Sequence, residues 1–145
     1  MTNVRLIISG HGKFATGLKG AIALLAKAPD NWQFVDFSEG MSDSDLQSKF
    51  EAIIAQDADA ETLFFTDLAG GTPYKVAATL ANGKKNMSVI AGCNLASLLE
   101  IIYSNVDTAD ALADTMIDIS HKAIDKFELA AATPDQSDSD ESDGI

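Results

Sequence analysis

The sequence predicts an α/β fold, a doubly wound and mostly parallel sheet of four strands with helices on both faces. Three observations carry that expectation. Short apolar runs of strand length alternate with longer stretches whose apolar residues recur at helical spacing. Two of the runs, Leu6-Ile7-Ile8 and Leu63-Phe64-Phe65, are continuously apolar, as strands covered on both faces are. The first run passes through Ser9-Gly10-His11-Gly12 straight into a helical pattern, and an apolar strand, a glycine-rich turn and a helix make the entry unit of an open α/β sheet.

Val4–Ser9 reads as the first strand. A helix over Phe14–Lys27 follows, with Phe14, Leu18, Ile22 and Leu25 at helical spacing, and Pro29-Asp30-Asn31 ends it. Trp32–Phe37 is aromatic and alternating enough for a second strand. Ser42 is the expected N-cap of the next helix, with acids in its first turn, where they suit the helix dipole. Leu46, Phe50, Ile53 and Ile54 form its apolar face. Thr62–Thr66 is the third strand, and Thr72-Pro73 has the form of an N-cap followed by proline at the first helical position. That third helix runs to about Asn82, where Gly83 stops it. Met87–Ala91 is the fourth strand, Leu95–Tyr103 a helix, and Asp107 or Thr108 caps a last helix to about Ser120. Residues 123–130 fit neither period and read as a helix extension or a short edge strand. Beyond Thr133 the chain is rich in Ser and Asp, with no apolar residue until Ile145. The expected division is thus one domain over residues 1–133 and an acidic, disordered tail over 134–145.

A chain of 145 residues is long enough to bury a core in one domain. A net charge of -12 argues against nucleic acid as a partner, because such binding rests on cationic contacts to phosphates. The same acidity suits a protein partner with a basic docking face. No apolar run is long enough to cross a membrane and no leader is evident, so a cytoplasmic protein is expected. The single cysteine, Cys93, excludes an intramolecular disulfide and a cysteine-based zinc cluster. The glycine-rich turn has neither GxGxxG nor GxxxxGK[ST] spacing, so it is not a dinucleotide or ATP loop. No cofactor and no metal are expected.

His11 is the first candidate site residue. A histidine in a turn is about as often no more than a solvated side chain. Here it lies between two glycines that allow a partner or ligand close approach, and just before a helix whose free N–H groups favour anions. Asp67 is the second. It ends the third strand, and it could simply accept backbone N–H bonds in its own turn. In a flavodoxin-like strand order the first and third strands are neighbours, and their carboxyl ends flank the crevice where such sheets bind ligands. His11 and Asp67 would then face each other. A carboxylate holding one ring N–H leaves the other nitrogen as a nucleophile. Gly71 and Thr72 would supply donors for phosphate oxygens, with a plain helix cap as the blander role for Thr72. His121, near a helix end and without glycine context, is a weaker candidate. Cys93 and Trp32 read as core residues.

Three segments together resemble a known family: Ser9-Gly10-His11-Gly12-Lys13-Phe14-Ala15-Thr16-Gly17-Leu18, Thr66-Asp67-Leu68-Ala69-Gly70-Gly71-Thr72-Pro73-Tyr74 and Ala91-Gly92-Cys93-Asn94-Leu95. In order and spacing they look like the mannose-type IIA component of the bacterial phosphoenolpyruvate-dependent sugar phosphotransferase system, over about residues 3–130. The resemblance implies that His11 accepts a phosphoryl group from phospho-HPr through Nε2 and passes it to a IIB component. IIB then phosphorylates a sugar entering through membrane IIC and IID components. It also implies that Asp67 orients His11, that Thr72 and nearby amides hold the phosphate, and that the protein is a homodimer exchanging a short C-terminal antiparallel strand, which would account for residues 123–130. Ala69, Tyr74-Lys75 and Ala96 depart from the commoner aromatic, Phe-Asn and proline of the family, and the His and Asp segments lean toward N-acetylgalactosamine-type members. Two other readings compete: the phosphotransfer subunit of dihydroxyacetone kinase, against which Gly70-Gly71-Thr72-Pro73 argues, and a non-catalytic flavodoxin-like binding or regulatory domain.

Overall fold

A computed structural model describes residues 2–130. In chain order the elements are β1 (Arg5–His11), α1 (Phe14–Leu25), β2 (Trp32–Phe37), α2 (Asp43–Gln56), β3 (Thr62–Thr66), α3 (Thr72–Ala81), β4 (Met87–Ala91), α4 (Leu95–Ile101) and α5 (Ala109–Ala123). The four strands are parallel in the order β2-β1-β3-β4, so the expected α/β fold is the one observed. The order reverses at β1, which has β2 on one side and β3 on the other. The crevice between the carboxyl ends of β1 and β3 is therefore the switch point of the sheet.

The continuous apolar runs supply both faces of the sheet. Leu6 and Ile8 of β1 and Leu63 and Phe65 of β3 enter a core completed by Ala15 and Ile22 of α1, Leu98 and Ile101 of α4, and Leu112 and Met116 of α5. The alternate residues, Ile7 and Phe64, enter a second core with Leu46, Phe50 and Ile53 of α2 and Val76 and Ala77 of α3. Phe50 and Phe64 pack there with ring centroids 5.1 Å apart and planes tilted by 59°. Each such buried aromatic or aliphatic side chain contributes about 1.5–3 kcal/mol. The amino end of the sheet is fastened by a buried Arg5, whose guanidinium donates to Thr62 Oγ1 at 3.1 and 2.8 Å and to the Ile53 carbonyl at 3.2 Å. Burial pulls the Arg5 pKa down, and Asp57 opposes that pull.

Helix starts follow the sequence signals where a side chain is free to cap. Ser42 and Asp45 form a reciprocal capping box on α2, and Thr108 Oγ1 accepts the Ala111 N–H at the start of α5. Several boundaries differ from expectation. β1 extends past Ser9 to His11, because β2 continues alongside as far as the His11–Phe37 pair, whereas β3 stops at Thr66 opposite Ser9. α1 ends at Leu25 rather than Lys27, since Ala26 turns to an extended conformation after donating to the Ile22 carbonyl. α4 ends at Ile101 rather than Tyr103 and closes in tight turns, with Ile102 N–H donating to Leu99 and Ser104 N–H to Ile101. α3 is capped by Gly71, not Thr72. Thr72 is already helical, and no side chain bonds at that cap. α5 continues to Ala123, and residues 124–130 then leave it without forming helix or strand. The expected acidic tail, residues 134–145, lies outside the described residues.

Candidate functional site

β1 and β3 run together to Ser9 and Thr66, then part. His11 and Asp67 stand at that opening. Asp67 Oδ2 accepts the His11 backbone N–H at 2.9 Å and lies 2.9 Å from His11 Nδ1. The backbone bond continues the β1–β3 contact with a carboxylate where the ladder has ended. The ring contact presents Nδ1 to the same oxygen, which fits a proton on Nδ1 and a lone pair on Nε2. The His11 side chain is 47% exposed and that of Asp67 16%. Asp67 Oδ1 is buried with no hydrogen-bond partner, so the carboxylate has unused accepting capacity. Burial raises the Asp67 pKa, but the backbone and ring N–H bonds from His11 outweigh it and hold the carboxyl below the ordinary carboxylate value.

The glycines divide their roles differently from the expectation that both flanking ones make room for a ligand. The space beside Gly10 is filled from within: a Cβ there would lie 2.4 Å from Cδ2 of Phe14, which packs its ring over the strand end. Gly12 has φ +60°, the left-handed region that lets the chain turn from β1 into α1. The glycine that leaves room at the imidazole is Gly71. A Cβ on it would stand 2.8 Å from His11 Cε1 and 3.6 Å from Nε2, so glycine leaves room for the Cε1 edge of the ring beside Nε2. Thr72 is the next residue, in the first turn of α3. The structure thus brings Asp67 and Gly71 each against His11 and places Thr72 next to Gly71 in sequence.

Two residues on β2 complete the surroundings and were not legible in the sequence. Asp36 accepts the Thr16 N–H at 3.0 Å and the Thr16 hydroxyl at 2.6 Å, so it caps α1 from the neighbouring strand, where Lys13 at the N-cap position forms no side-chain bond. Phe37 meets the His11 ring edge-on, with centroids 5.9 Å apart and planes at 77°. No local spacing announces either contact, because each partner lies on another element. The one available signal is their place at the end of a strand next to β1.

The model of the EIIA-man family, described as the PTS system fructose IIA component, matches residues 5–120. The chain belongs to this family. It is a IIA component of the sugar phosphotransferase system (PTS). Among its relatives, the fructose-specific EIIA component of Bacillus subtilis strain 168 is 36% identical over 100 residues, covering 68% of each chain. The sorbose-specific EIIA component of Lacticaseibacillus casei is 34% identical over 98 residues, covering 68% of this chain and 71% of the relative. Among solved structures, the mannose/sorbose-specific IIA subunit from Enterococcus faecalis superposes with a TM-score of 0.76 at 29% identity, covering 90% of this chain and 99% of that one.

The remaining candidates of this IIA component lie apart from His11. His121 is exposed in the last turn of α5, and Cys93 is half-buried beside the first core. Trp32 is buried in that core. Among the described residues no cluster of three or more His, Cys, Asp or Glu could hold a metal ion, and no helix is long and apolar enough to cross a membrane.

Proposed function

We propose that His11 is the phosphoryl carrier of this IIA component, with Asp67 orienting it and Gly71 and Thr72 receiving the phosphate. The observation that carries this reading is the 2.9 Å contact between His11 Nδ1 and Asp67 Oδ2, which leaves Nε2 as the nucleophilic end of an exposed ring. In the forward step the Nε2 lone pair attacks phosphorus, the bond joining phosphorus to HPr breaks, and its electron pair leaves with HPr. The proton on Nδ1 stays in place. The ring becomes positive as the new bond forms, and the Asp67 carboxylate balances that charge. Transfer onward to IIB follows the same course with His11 as the leaving group. The free N–H groups at the start of α3 favour the phosphate oxygens, since no side chain occupies that cap.

An exposed histidine suits transfer between proteins better than capture of a free sugar, because small-molecule sites enclose their ligands. A cleft of about 600 Å³, lined by Phe34, Asp36, Met41 and Lys49 among others, does not include His11. HPr and IIB are accordingly the direct partners, with IIC and IID reached through IIB, and the phosphocarrier is a cytoplasmic unit spanning residues 1–133. It works as a homodimer. Ile124, Phe127 and Leu129 are 73%, 82% and 85% exposed in the protomer, and apolar surface left in water forgoes about 25 cal/mol per Å². A second copy reached by this segment would recover that burial. Light scattering showing only the 15.3 kDa protomer at tens of micromolar would exclude the dimer.

The test of the carrier role is incubation with phosphoenolpyruvate, enzyme I and HPr. The wild-type protein and His121→Ala should gain an acid-labile phosphate, and His11→Ala should gain none while remaining folded, as expected for a residue outside both cores. Uptake by His11→Ala would overturn the assignment. A protein that never takes up phosphate would favour a binding module instead.

A further inference from the structure

We propose that Phe37 is a positioning residue for His11, and that it fixes the plane of the imidazole. This rests on the reading of His11 as the phosphoryl acceptor. A hydrogen bond to one ring nitrogen fixes a distance but leaves the ring free to tilt about that contact. His11 is nearly half exposed, so solvent supplies no restraint on the tilt. The edge-on contact with Phe37, at 5.9 Å and 77°, supplies the missing one. Asp67 holds Nδ1, Gly71 bounds Cε1, and Phe37 sets the ring's inclination, so that Nε2 points one way.

Phe37 can do this because it is itself held. Its carbonyl accepts the Gly12 N–H at 2.8 Å, in an antiparallel bridge that stitches the end of β2 to the residue following His11. Its ring packs against the second core. The turn after it is closed by Met41 N–H donating to the Ser38 carbonyl at 3.0 Å and by Ser38 N–H pointing at Met41 sulfur at 3.3 Å. The ring that limits His11 is therefore half-buried and held against the core, whereas the ring it limits is at the surface.

The test pairs Phe37→Leu, which keeps apolar bulk without an aromatic plane, with Phe37→Tyr, which keeps the ring. The first readout needs no partner: nitrogen-15 NMR of the histidine ring. The Nδ1–H lies in the ring plane, so a ring freed to tilt loses its alignment with Asp67 Oδ2: Phe37→Leu should show a mixture of both tautomers at His11, wild type and Phe37→Tyr the proton on Nδ1, with His121 unchanged. The second is single-turnover transfer from phospho-HPr. Phe37→Leu should slow the step about tenfold with the half-saturating HPr concentration unchanged, and Phe37→Tyr should stay within about twofold of wild type, as loss of orientation alone would give. An unchanged tautomer and rate in Phe37→Leu would overturn the proposal. So would a loss of HPr affinity at constant rate, which would make Phe37 a docking contact. Tautomer mixing in a protein that takes up no phosphate would leave the clamp standing and overturn the carrier reading on which the transfer assay depends.

Discussion

Two strand-to-helix junctions at the carboxyl end of the sheet are built from similar parts and turned to different ends. The β3–α3 junction runs Asp67-Leu68-Ala69-Gly70-Gly71, and the β4–α4 junction runs Gly92-Cys93-Asn94. Each turns on a glycine with φ +82°, Gly70 in one and Gly92 in the other. At β4–α4 the polar residue serves its own helices. Asn94 Oδ1 accepts the Ser97 N–H at 3.1 Å, and its Nδ2 donates to the Ser120 carbonyl at 3.1 Å. At β3–α3 the polar residue turns away from its own helix. Asp67 takes the backbone and ring N–H groups of His11, and α3 starts from Gly71 with no side-chain cap. A junction that spends its side chain on its own helix stabilises the fold. A junction that spends it on a neighbouring strand forgoes a cap and leaves helix N–H groups open beside an exposed ring. The two junctions should respond to substitution in opposite ways.

The largest effect should come from Asp67→Asn. The side chain keeps its shape but can present an amide N–H to His11 Nδ1, which favours the wrong tautomer. Single-turnover transfer from phospho-HPr should fall by roughly 10²–10³, less than the loss for the matching change in a serine hydrolase triad, because phosphoryl transfer leans more on positioning. A rate within about threefold of wild type would reduce Asp67 to a turn residue and erase the contrast.

Gly71→Ala should come next. The added methyl would stand 2.8 Å from His11 Cε1, so the ring must shift. At Gly71 φ is -75°, which suits alanine, and the Cβ would meet the Leu68 carbonyl oxygen at 3.3 Å, so stability should fall by no more than about 1 kcal/mol. Transfer should slow by about tenfold or more, since a displacement near 1 Å disturbs in-line attack. Equal losses of stability and rate would make the effect a folding one.

A smaller effect is expected in acid. The Asp67 pKa is held below its ordinary value of 3.8 in the folded protein. A carboxyl with a depressed folded pKa contributes stability that is full above the unfolded value and lost as pH falls through the folded one. The stability difference between wild type and Asp67→Asn should therefore be level from neutral pH down to about pH 5 and shrink below about pH 4. Urea titrations at a series of pH values measure it. A difference that grows as pH falls would reverse the assigned direction.

What the sequence made legible at these junctions follows from physical range. Thr62–Thr66 and Met87–Ala91 have the strand bounds their apolar runs suggest, because turn residues close each run at both ends. The meeting of His11 with Asp67 follows from strand order alone, since placing β1 beside β3 brings their carboxyl ends together. Asn94, read from the sequence only as a turn residue, is in the structure the cap of α4, three residues from the N–H it accepts. The contacts that sequence patterns did not reveal cross between elements. Asp36 caps a helix 20 residues earlier in the chain, and Phe37 touches a ring on the adjacent strand. Gly71-Thr72-Pro73 misled in a specific way. Threonine before proline has the form of a capping pair, yet α3 begins one residue sooner, which puts Thr72 inside the helix and a bare α-carbon against the imidazole. The reason for that glycine lies 60 residues away, in the position of the His11 ring.

The smallest effect on transfer should come from Asn94→Ala, and it sharpens the contrast most. Alanine removes the acceptor for the Ser97 N–H, and Ser97 is fully buried, so that donor loses its partner in a dry setting. It also removes the donor to the Ser120 carbonyl, cutting the tie between the start of α4 and the end of α5. Loss of a cap and of one further bond should cost about 1–2 kcal/mol. For a domain of this size that lowers Tm by roughly 3–8 °C. None of these bonds reaches His11, Asp67 or Gly71, so at a temperature where the variant is folded its transfer rate should stay within about twofold of wild type. Thermal melts and single-turnover transfer on the same preparation decide the matter. If Asn94→Ala slows transfer as Gly71→Ala does while its melting temperature barely moves, the β4–α4 junction belongs to the site as much as β3–α3 does. The division between a junction that holds the fold and one that serves the histidine would then have to be abandoned.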